Sequence, residues 1–144
     1  MFISDLLNSG SLPVLETAAQ FAGRRQTLLA HNIANLSTPN FQPADVSVKD
    51  FQASLAEAVD RRRKQGGDGA PLDLKPTREI EMKAGGGLAL TPRTGTGNVL
   101  FHDRNTRDLE RLMQDLAENT AAFRVATDLF KSRLELINQA IRER

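Results

Sequence analysis

The sequence predicts a mainly α-helical, elongated protein whose long N- and C-terminal helices pack as a coiled coil, with a glycine-rich middle that holds short β segments. Apolar residues recur at helical spacing near both ends of the 144-residue chain. Eight of the ten glycines lie between Gly66 and Gly97, and neither Gly nor Pro follows Gly97. The last third of the chain is therefore free of helix breakers.

A chain of this length builds one structural unit rather than two independent cores. We divide that unit into three regions: an N-terminal helical region over 1–64, a flexible Gly/Pro-rich middle over 65–98, and a C-terminal coiled-coil helix over 99–144.

The N-terminal helix is expected to begin near Ser11, which can cap it, or at Pro13, because proline is tolerated in a first turn. It should end before Pro39, since a proline disfavours helical backbone in the residue before it. The apolar face comprises Val14, Leu15, Ala18, Ala19, Phe21, Ala22, Leu28, Leu29, Ile33 and Leu36.

A second, shorter helix is predicted over 47–64, capped by Ser47 or Asp50. Its apolar stripe is Phe51, Leu55, Ala58 and Val59. The basic run 61–64 falls at its C-terminal end, where cations favour the helix dipole. We interpret this run as a solvated helix end, because no interleaved aromatic residues point to nucleic acid.

In the middle region, Leu72 and Leu74, and then Ile80 and Met82, alternate with polar residues. This alternation predicts short β segments at most.

The C-terminal helix carries the strongest pattern, a 3.5-residue apolar repeat that is typical of a coiled-coil seam. Its apolar members, which we take as an assembly seam, are Leu109, Met113, Leu116, Phe123, Phe130, Leu134, Ile137 and Ile141, with Thr120 and Thr127 in register. Leu112, Ala126, Leu129, Leu136 and Ala140 widen the stripe, so we expect this helix to contact more than one neighbour. A helix of about 40 residues is roughly 60 Å long, which makes the molecule elongated.

The composition argues against an enzyme and against nucleic-acid or membrane binding. The formal charge is +1, there is no cysteine, and the two histidines, His31 and His102, are far apart. We therefore expect no catalytic residues, no metal site and no cofactor. No stretch approaches the roughly 20 apolar residues of a membrane span, and the first 13 residues do not look like a cleavable secretory signal.

The segment 30–41, AHNIANLSTPNF, forms a helix stop followed by a turn. Asn32 and Asn35 flank Ile33 and Ala34 in the last helical turn, where amide side chains can bind unpaired backbone carbonyls. The turn itself is Thr38, Pro39, Asn40 and Phe41, in which Asn40 can adopt positive φ and Phe41 is an apolar anchor.

This segment resembles the motif ANNIANxxTPGY near the N-terminus of the bacterial flagellar rod and hook family. It differs in having His31 for Asn, Asn40 for Gly and Phe41 for Tyr. Within the family, the chain is similar to a short protein of the proximal rod. That similarity covers roughly 15–56 and 97–143, and includes Arg24, Arg25, Asp45, Val46 and the stretch LAEN over 116–119.

The resemblance implies a structural subunit of the flagellar basal body, exported by the flagellar type III apparatus without a cleavable signal into the periplasmic rod. The implied partners are further copies of the chain, the rod proteins FlgC, FlgF and FlgG, the adaptor FliE, the MS ring and the export gate. The alternative is a soluble coiled-coil adaptor or export-associated binding protein that forms small closed oligomers.

Overall fold

The computed structural model describes residues 10–84, 86–94 and 109–142. Three helices dominate it: α1 (Leu12–Ala34), α2 (Val48–Gln65) and α3 (Leu109–Arg142). A 3₁₀ turn, Gly67–Gly69, follows α2. The strands are β1 (Ala44–Asp45), β2 (Ile80–Met82), β3 (Leu88–Leu90) and β4 (Arg93–Thr94). The predicted mainly helical fold is confirmed; residues 99–108, 143 and 144 of the predicted C-terminal helix lie outside the described residues.

Helix α1 begins where the sequence predicts and ends five residues before Pro39, which was the predicted limit of the helix. Ser11 stands at the N-cap position, but its side chain makes no capping hydrogen bond. The helix ends at Ala34 because Asn35 leaves helical geometry, its N–H still bonding to the His31 carbonyl. Leu36, which the apolar pattern assigned to the helix, therefore lies beyond its end.

Helix α2 matches its predicted boundaries to within a residue. The Ser47 hydroxyl accepts a hydrogen bond from the Asp50 N–H at 3.1 Å, which is the predicted N-cap. At the other end Gly66 takes φ of 151°, which side-chain-bearing residues rarely adopt, and its N–H caps the Arg62 carbonyl. The glycine thereby ends α2 and redirects the chain.

Three short strands of the middle region, together with β1 from the N-terminal region, form two small antiparallel sheets, which confirms the prediction of short β segments. In one sheet β1 pairs with β4, with Ala44 opposite Thr94. In the other, β2 and β3 form a hairpin in which Ile80 lies opposite Leu90. Leu72 and Leu74 lie outside the strands, although the Leu74 side chain is buried.

The hydrophobic core lies between α1, α2 and the middle region. The rings of Phe21 and Phe51 stack with centroids 3.9 Å apart. The buried cluster consists of Phe21, Val46, Phe51, Ala58, Leu74, Ile80 and Leu88. Leu88 follows three consecutive glycines and is completely buried. The glycine-rich middle therefore contributes to the core, which the sequence analysis did not predict; its flexibility and the three-region division remain predictions.

Helices α1 and α3 pack against each other in opposite directions. Leu12 lies near Leu136, Gly23 near Phe123, and Gln26 near Thr120. Residue numbers therefore increase along α1 as they decrease along α3, so the two helices are antiparallel. With 34 residues, α3 is about 51 Å long. Within the described residues, none of the helices combines the length and apolar character that crossing a membrane requires.

Candidate assembly interface

Asn32 ties the end of α1 to strand β1. Its side chain is 3% exposed, and its amide makes two hydrogen bonds with the backbone of Ala44. The Asn32 Nδ2 donates to the Ala44 carbonyl at 2.8 Å, and the Ala44 N–H donates to Asn32 Oδ1 at 3.3 Å. Only an amide side chain offers a donor and an acceptor side by side, which is the physical reason for asparagine here.

Asn35 shapes the chain just after the helix. Its Nδ2 donates at 2.9 Å to the His31 carbonyl, which also accepts the Asn35 backbone N–H at 3.1 Å. Its own carbonyl accepts from the Thr38 N–H at 2.9 Å. Both asparagines of the motif thus bind backbone groups, Asn35 at the end of its own helix and Asn32 at Ala44 of strand β1.

The residues that follow form a tight turn. The Phe41 N–H donates to the Thr38 carbonyl at 3.2 Å, and Asn40 adopts φ of 60° at the third position of the turn. That geometry is typical of a type II turn, which favours Gly or Asn at this position. The Phe41 ring lies against the His31 ring, with centroids 5.5 Å apart and planes at 58°.

Together these contacts present a compact, largely exposed corner at the end of α1. Ile33 and Phe41 are partly buried, whereas Ala34, Pro39 and Asn40 are exposed. That these residues form the family's functional motif remains a prediction.

Arg25 joins three elements. Its guanidinium is 7% exposed and makes a two-pronged ion pair with Asp45 of β1, with Nε–Oδ1 at 3.0 Å and Nη2–Oδ2 at 2.6 Å. Asp115 of α3 lies 3.7 Å from the same Nη2. Burial by itself lowers the pKa of Arg25, but the hydrogen bond and charge of Asp45, with Asp115, outweigh it and raise the pKa above its ordinary value.

A polar cluster fixes how α3 sits on α1. The Asn119 Nδ2 donates to the Ala22 carbonyl and to Gln26 Oε1, both at 2.8 Å. The Gln26 Nε2 donates to the Thr120 hydroxyl at 3.0 Å. Because a shift of one helical turn would leave these groups unpaired, the cluster specifies one register between the helices.

Close packing accompanies this polar contact. A Cβ atom added to Gly23 would meet the ring of Phe123 at 3.4 Å. The missing side chain therefore lets Phe123 lie directly on the backbone of α1.

The predicted seam does not coincide with the line of α3 that is most buried. Asn119 and Ala126 are the buried residues of α3. Among the seam residues, Leu116, Phe130, Leu134 and Ile137 are half-buried and Leu109, Met113, Phe123 and Ile141 are exposed. The role of these eight residues in assembly remains a prediction.

Exposed apolar side chains lie on both flanks of the contact with α1. Successive residues of an α-helix are rotated by about 100° around its axis, and on this basis the exposed apolar residues form two sets. The front strip consists of Leu109, Met113, Phe123 and Ile141, which lie within an arc of about 80°. The back strip consists of Val125, Leu129 and Leu136, which lie within an arc of about 40° on roughly the opposite side of the helix. The line through Asn119 and Ala126 runs between the two strips.

The basic run 61–64 at the end of α2 was predicted to be a solvated helix end, but part of it is buried. Arg62 is 5% exposed, and its Nε and Nη1 donate to the carbonyls of Ala70 and Gly10 at 2.6 and 2.7 Å. Arg61 donates to the Asp73 carbonyl at 2.8 Å. These arginines were missed because their partners are backbone carbonyls, which leave no mark in a charge pattern.

No group of three or more potential metal ligands comes together in the described part of the chain. His31 packs on Phe41, and His102 lies outside the described residues. The Asn32 bridge joins α1 to β1, the Arg25 ion pairs join α1 to β1 and α3, and the two apolar strips of α3 remain exposed.

An elongated helical chain with uncovered apolar strips on two sides of its longest helix has the features of a subunit that neighbouring chains complete. The chain is 31% identical over 127 residues to the flagellar basal body rod protein FlgB of Yersinia enterocolitica, with 83% of each chain covered. It belongs to the FlgB family of flagellar basal body rod proteins.

Other relatives carry the same name. The chain is 28% identical over 120 residues to FlgB of Salmonella typhimurium and 27% identical over 125 residues to FlgB of Escherichia coli K12. In both cases 83% of this chain and 84% of the relative are covered. No protein-family model matches the chain.

Proposed function

We propose that the chain is a structural subunit of the proximal rod of the bacterial flagellar basal body. Its terminal helices assemble it into the drive shaft that transmits torque. Membership of the FlgB family supports the place of assembly, since the relatives are named as rod proteins of the basal body.

The observation that carries the proposal is the presence of apolar strips on opposite flanks of α3. A subunit with one such strip closes into a pair, whereas a subunit with two takes a neighbour on each side. Unlike faces that meet head to tail build rings or open helical arrays. A tube of subunits is the second kind of assembly.

Torque requires a shaft that resists shear, and close packing supplies that resistance because packed interiors deform little. Because Gly23 has no side chain, the Phe123 ring of α3 lies directly on the backbone of α1. The hydrogen bonds of Asn119 oppose sliding of one helix along the other. A load applied along the helices would thus be shared between them.

The partners follow from this position in the basal body. We propose contacts with further copies of the chain, with FlgC, FlgF and FlgG along the rod, and with FliE, the MS ring and the export gate at its base. Export proceeds through the flagellar type III apparatus without a cleavable signal, and the mature chain works in the periplasmic rod as a structural rather than a catalytic component.

Quantitative mass spectrometry of detergent-extracted basal bodies from the source cells tests the proposal. We expect the chain in a few copies per basal body, in fixed ratio to the other rod proteins. Complete basal bodies that lack the chain would refute the rod assignment.

Sedimentation of the purified chain separates the rod subunit from a soluble coiled-coil adaptor. An open assembly keeps growing with concentration, whereas an adaptor stops at one small oligomer of fixed size. Met113→Asp and Leu129→Asp, one in each strip, should stop this growth, and Ala121→Asp, between the strips, is the matched control.

A further inference from the structure

A cleft of about 440 Å³ lies where the start of α1, the end of α2 and the C-terminal half of α3 meet. We call it the N-terminal cleft. Its apolar wall includes Val14 from α1, Val59 from α2, and Leu136 and Ile137 from α3. Leu136 is 53% exposed, so apolar surface in the cleft is left uncovered.

Among the described residues that line the cleft, the charged side chains are all basic: Arg62, Arg63 and Arg133. Arg62 binds the backbone of Gly10 and Ala70 and so holds the cleft together. Arg63 and Arg133 are exposed, and the ion pair that Arg63 makes with Asp60 at 3.9 Å is itself largely solvated. The cleft thus suits an apolar segment that carries an acidic side chain.

The sequence of residues 1–9, MFISDLLNS, has these properties. It contains Phe2, Ile3, Leu6 and Leu7, and Asp5 is its one charged side chain. We propose that residues 1–9 bind in the N-terminal cleft of the same chain, with the apolar side chains against its wall and Asp5 beside Arg63 and Arg133.

The attachment point of the segment favours binding within one chain. Gly10, the next residue, lines the cleft, and its carbonyl accepts a hydrogen bond from Arg62 at 2.7 Å. Nine residues reach about 30 Å when extended, which is more than enough to cover the cleft. A short tether also gives a local concentration on the order of millimolar, well above that of a second copy in dilute solution.

Binding of the segment has a consequence for α3. Leu136 belongs both to the cleft and to the back strip. A bound segment therefore covers one end of the strip that a neighbouring chain would contact.

Spin labelling tests the proposal directly, because the chain has no cysteine of its own. Ser4→Cys carries a nitroxide in the full-length chain, and methyl NMR signals are followed at the cleft residues Val14, Val59, Leu136 and Ile137. We expect these signals to broaden to the same extent on serial dilution, while the signals of Ile33 and Leu116, about 28 and 30 Å along α1 and α3 from the cleft residues Val14 and Leu136, remain sharp.

Exchanging the charges of Asp5 and Arg133 tests whether these two side chains pair. Asp5→Arg and Arg133→Asp should each reduce the broadening at the cleft, and the combined variant should regain it. Unchanged core signals of Leu74 and Leu88 show that each variant is folded.

No broadening at the cleft would overturn the proposal, and so would broadening that fades on dilution, which would place the segment of a second copy there. Single charge variants with undiminished broadening would overturn the pairing with Asp5. Because the measurement uses the isolated chain, its failure would leave the proposed rod function standing.

Discussion

At the scale of single residues, buried polar side chains bind backbone groups in the segments that adjoin the helices. Asn32 satisfies both backbone groups of Ala44 while almost fully buried, and Arg62 holds two backbone carbonyls. Unpaired buried polar groups are costly, so these side chains contribute chiefly by preventing that cost. Their removal should therefore be felt more strongly than the loss of an exposed hydrogen bond.

Replacing Asn32 tests this directly. Asn32→Ala should lower the free energy of unfolding by about 1–3 kcal/mol, because it removes both hydrogen bonds that this buried side chain makes to the backbone of Ala44. Urea denaturation measures the change. Asn35→Ala, which removes a hydrogen bond to the His31 carbonyl near solvent, is the control and should cost less. Equal losses would contradict the role assigned to burial.

Gly23 makes a second prediction at this scale. Gly23→Ala places its methyl group in ordinary contact with Phe123 and gains helix propensity, so stability should rise by up to about 1 kcal/mol. Gly23→Leu should lower stability because the larger side chain displaces the ring. Thermal unfolding measures both, and Phe123→Ala should relieve the penalty of Gly23→Leu. A penalty that persists in that background would locate the clash elsewhere.

At the scale of elements, the sequence predicts helices well when a local signal marks their ends. The Ser47 cap and the Gly66 stop bound α2 within a residue of expectation. The end of α1 depends instead on Asn35 and on the bridge from Asn32 to Ala44, twelve residues away, so Pro39 alone placed it too late. The spacing of apolar residues along the sequence cannot reveal contacts between residues that are far apart in the chain.

The same reason explains what was predicted and missed on α3. The repeat correctly predicted a long helix, but it could not identify which side of a broad apolar stripe packs on α1. Asn119 was the available signal, because an amide within an apolar stripe commonly fixes register. The core position of Leu88 had no such signal among its neighbouring glycines.

Arg25 links α1, β1 and α3, and its replacement tests how strongly those elements are coupled. Arg25→Lys keeps the charge but loses the two-pronged geometry to Asp45, so the free energy of unfolding should fall by about 1–3 kcal/mol. Urea denaturation measures the loss. Arg24→Lys, at an exposed neighbouring position, should be nearly neutral. An Arg25→Lys variant as stable as the parent would show that the guanidinium geometry is dispensable.

The pKa of Arg25 also fixes the sign of its pH dependence. Because folding raises that pKa above the ordinary arginine value, the stabilisation is fully present below the ordinary value and is lost only as pH rises through the folded one. The destabilisation caused by Arg25→Lys should accordingly be the same at pH 6 and pH 8. A difference between these two pH values would indicate that another titrating group controls the contact.

At the scale of the whole molecule, the two apolar strips of α3 predict separate interfaces with two neighbours. Met113→Asp on the front strip and Leu129→Asp on the back strip should each leave the fold intact, because both side chains are exposed. Each should block growth of the assembly, since a charge would be buried without a partner. Sedimentation velocity and rod formation in cells measure the effect.

The control is Ala121→Asp, an exposed position between the strips on the side away from α1. It should leave assembly unchanged. Phe123→Asp and Leu134→Asp, at two positions of the predicted seam, should also block assembly. Normal rods from any of the strip or seam variants would refute the proposed packing.

The position of the core within the sequence has a further consequence for how the molecule comes into being. Every residue of the buried cluster lies between Phe21 and Leu88. Because synthesis runs from the N-terminus, every residue of this cluster is made before the first residue of α3. The last helix to be made is therefore the one whose register on α1 the polar cluster around Asn119 specifies.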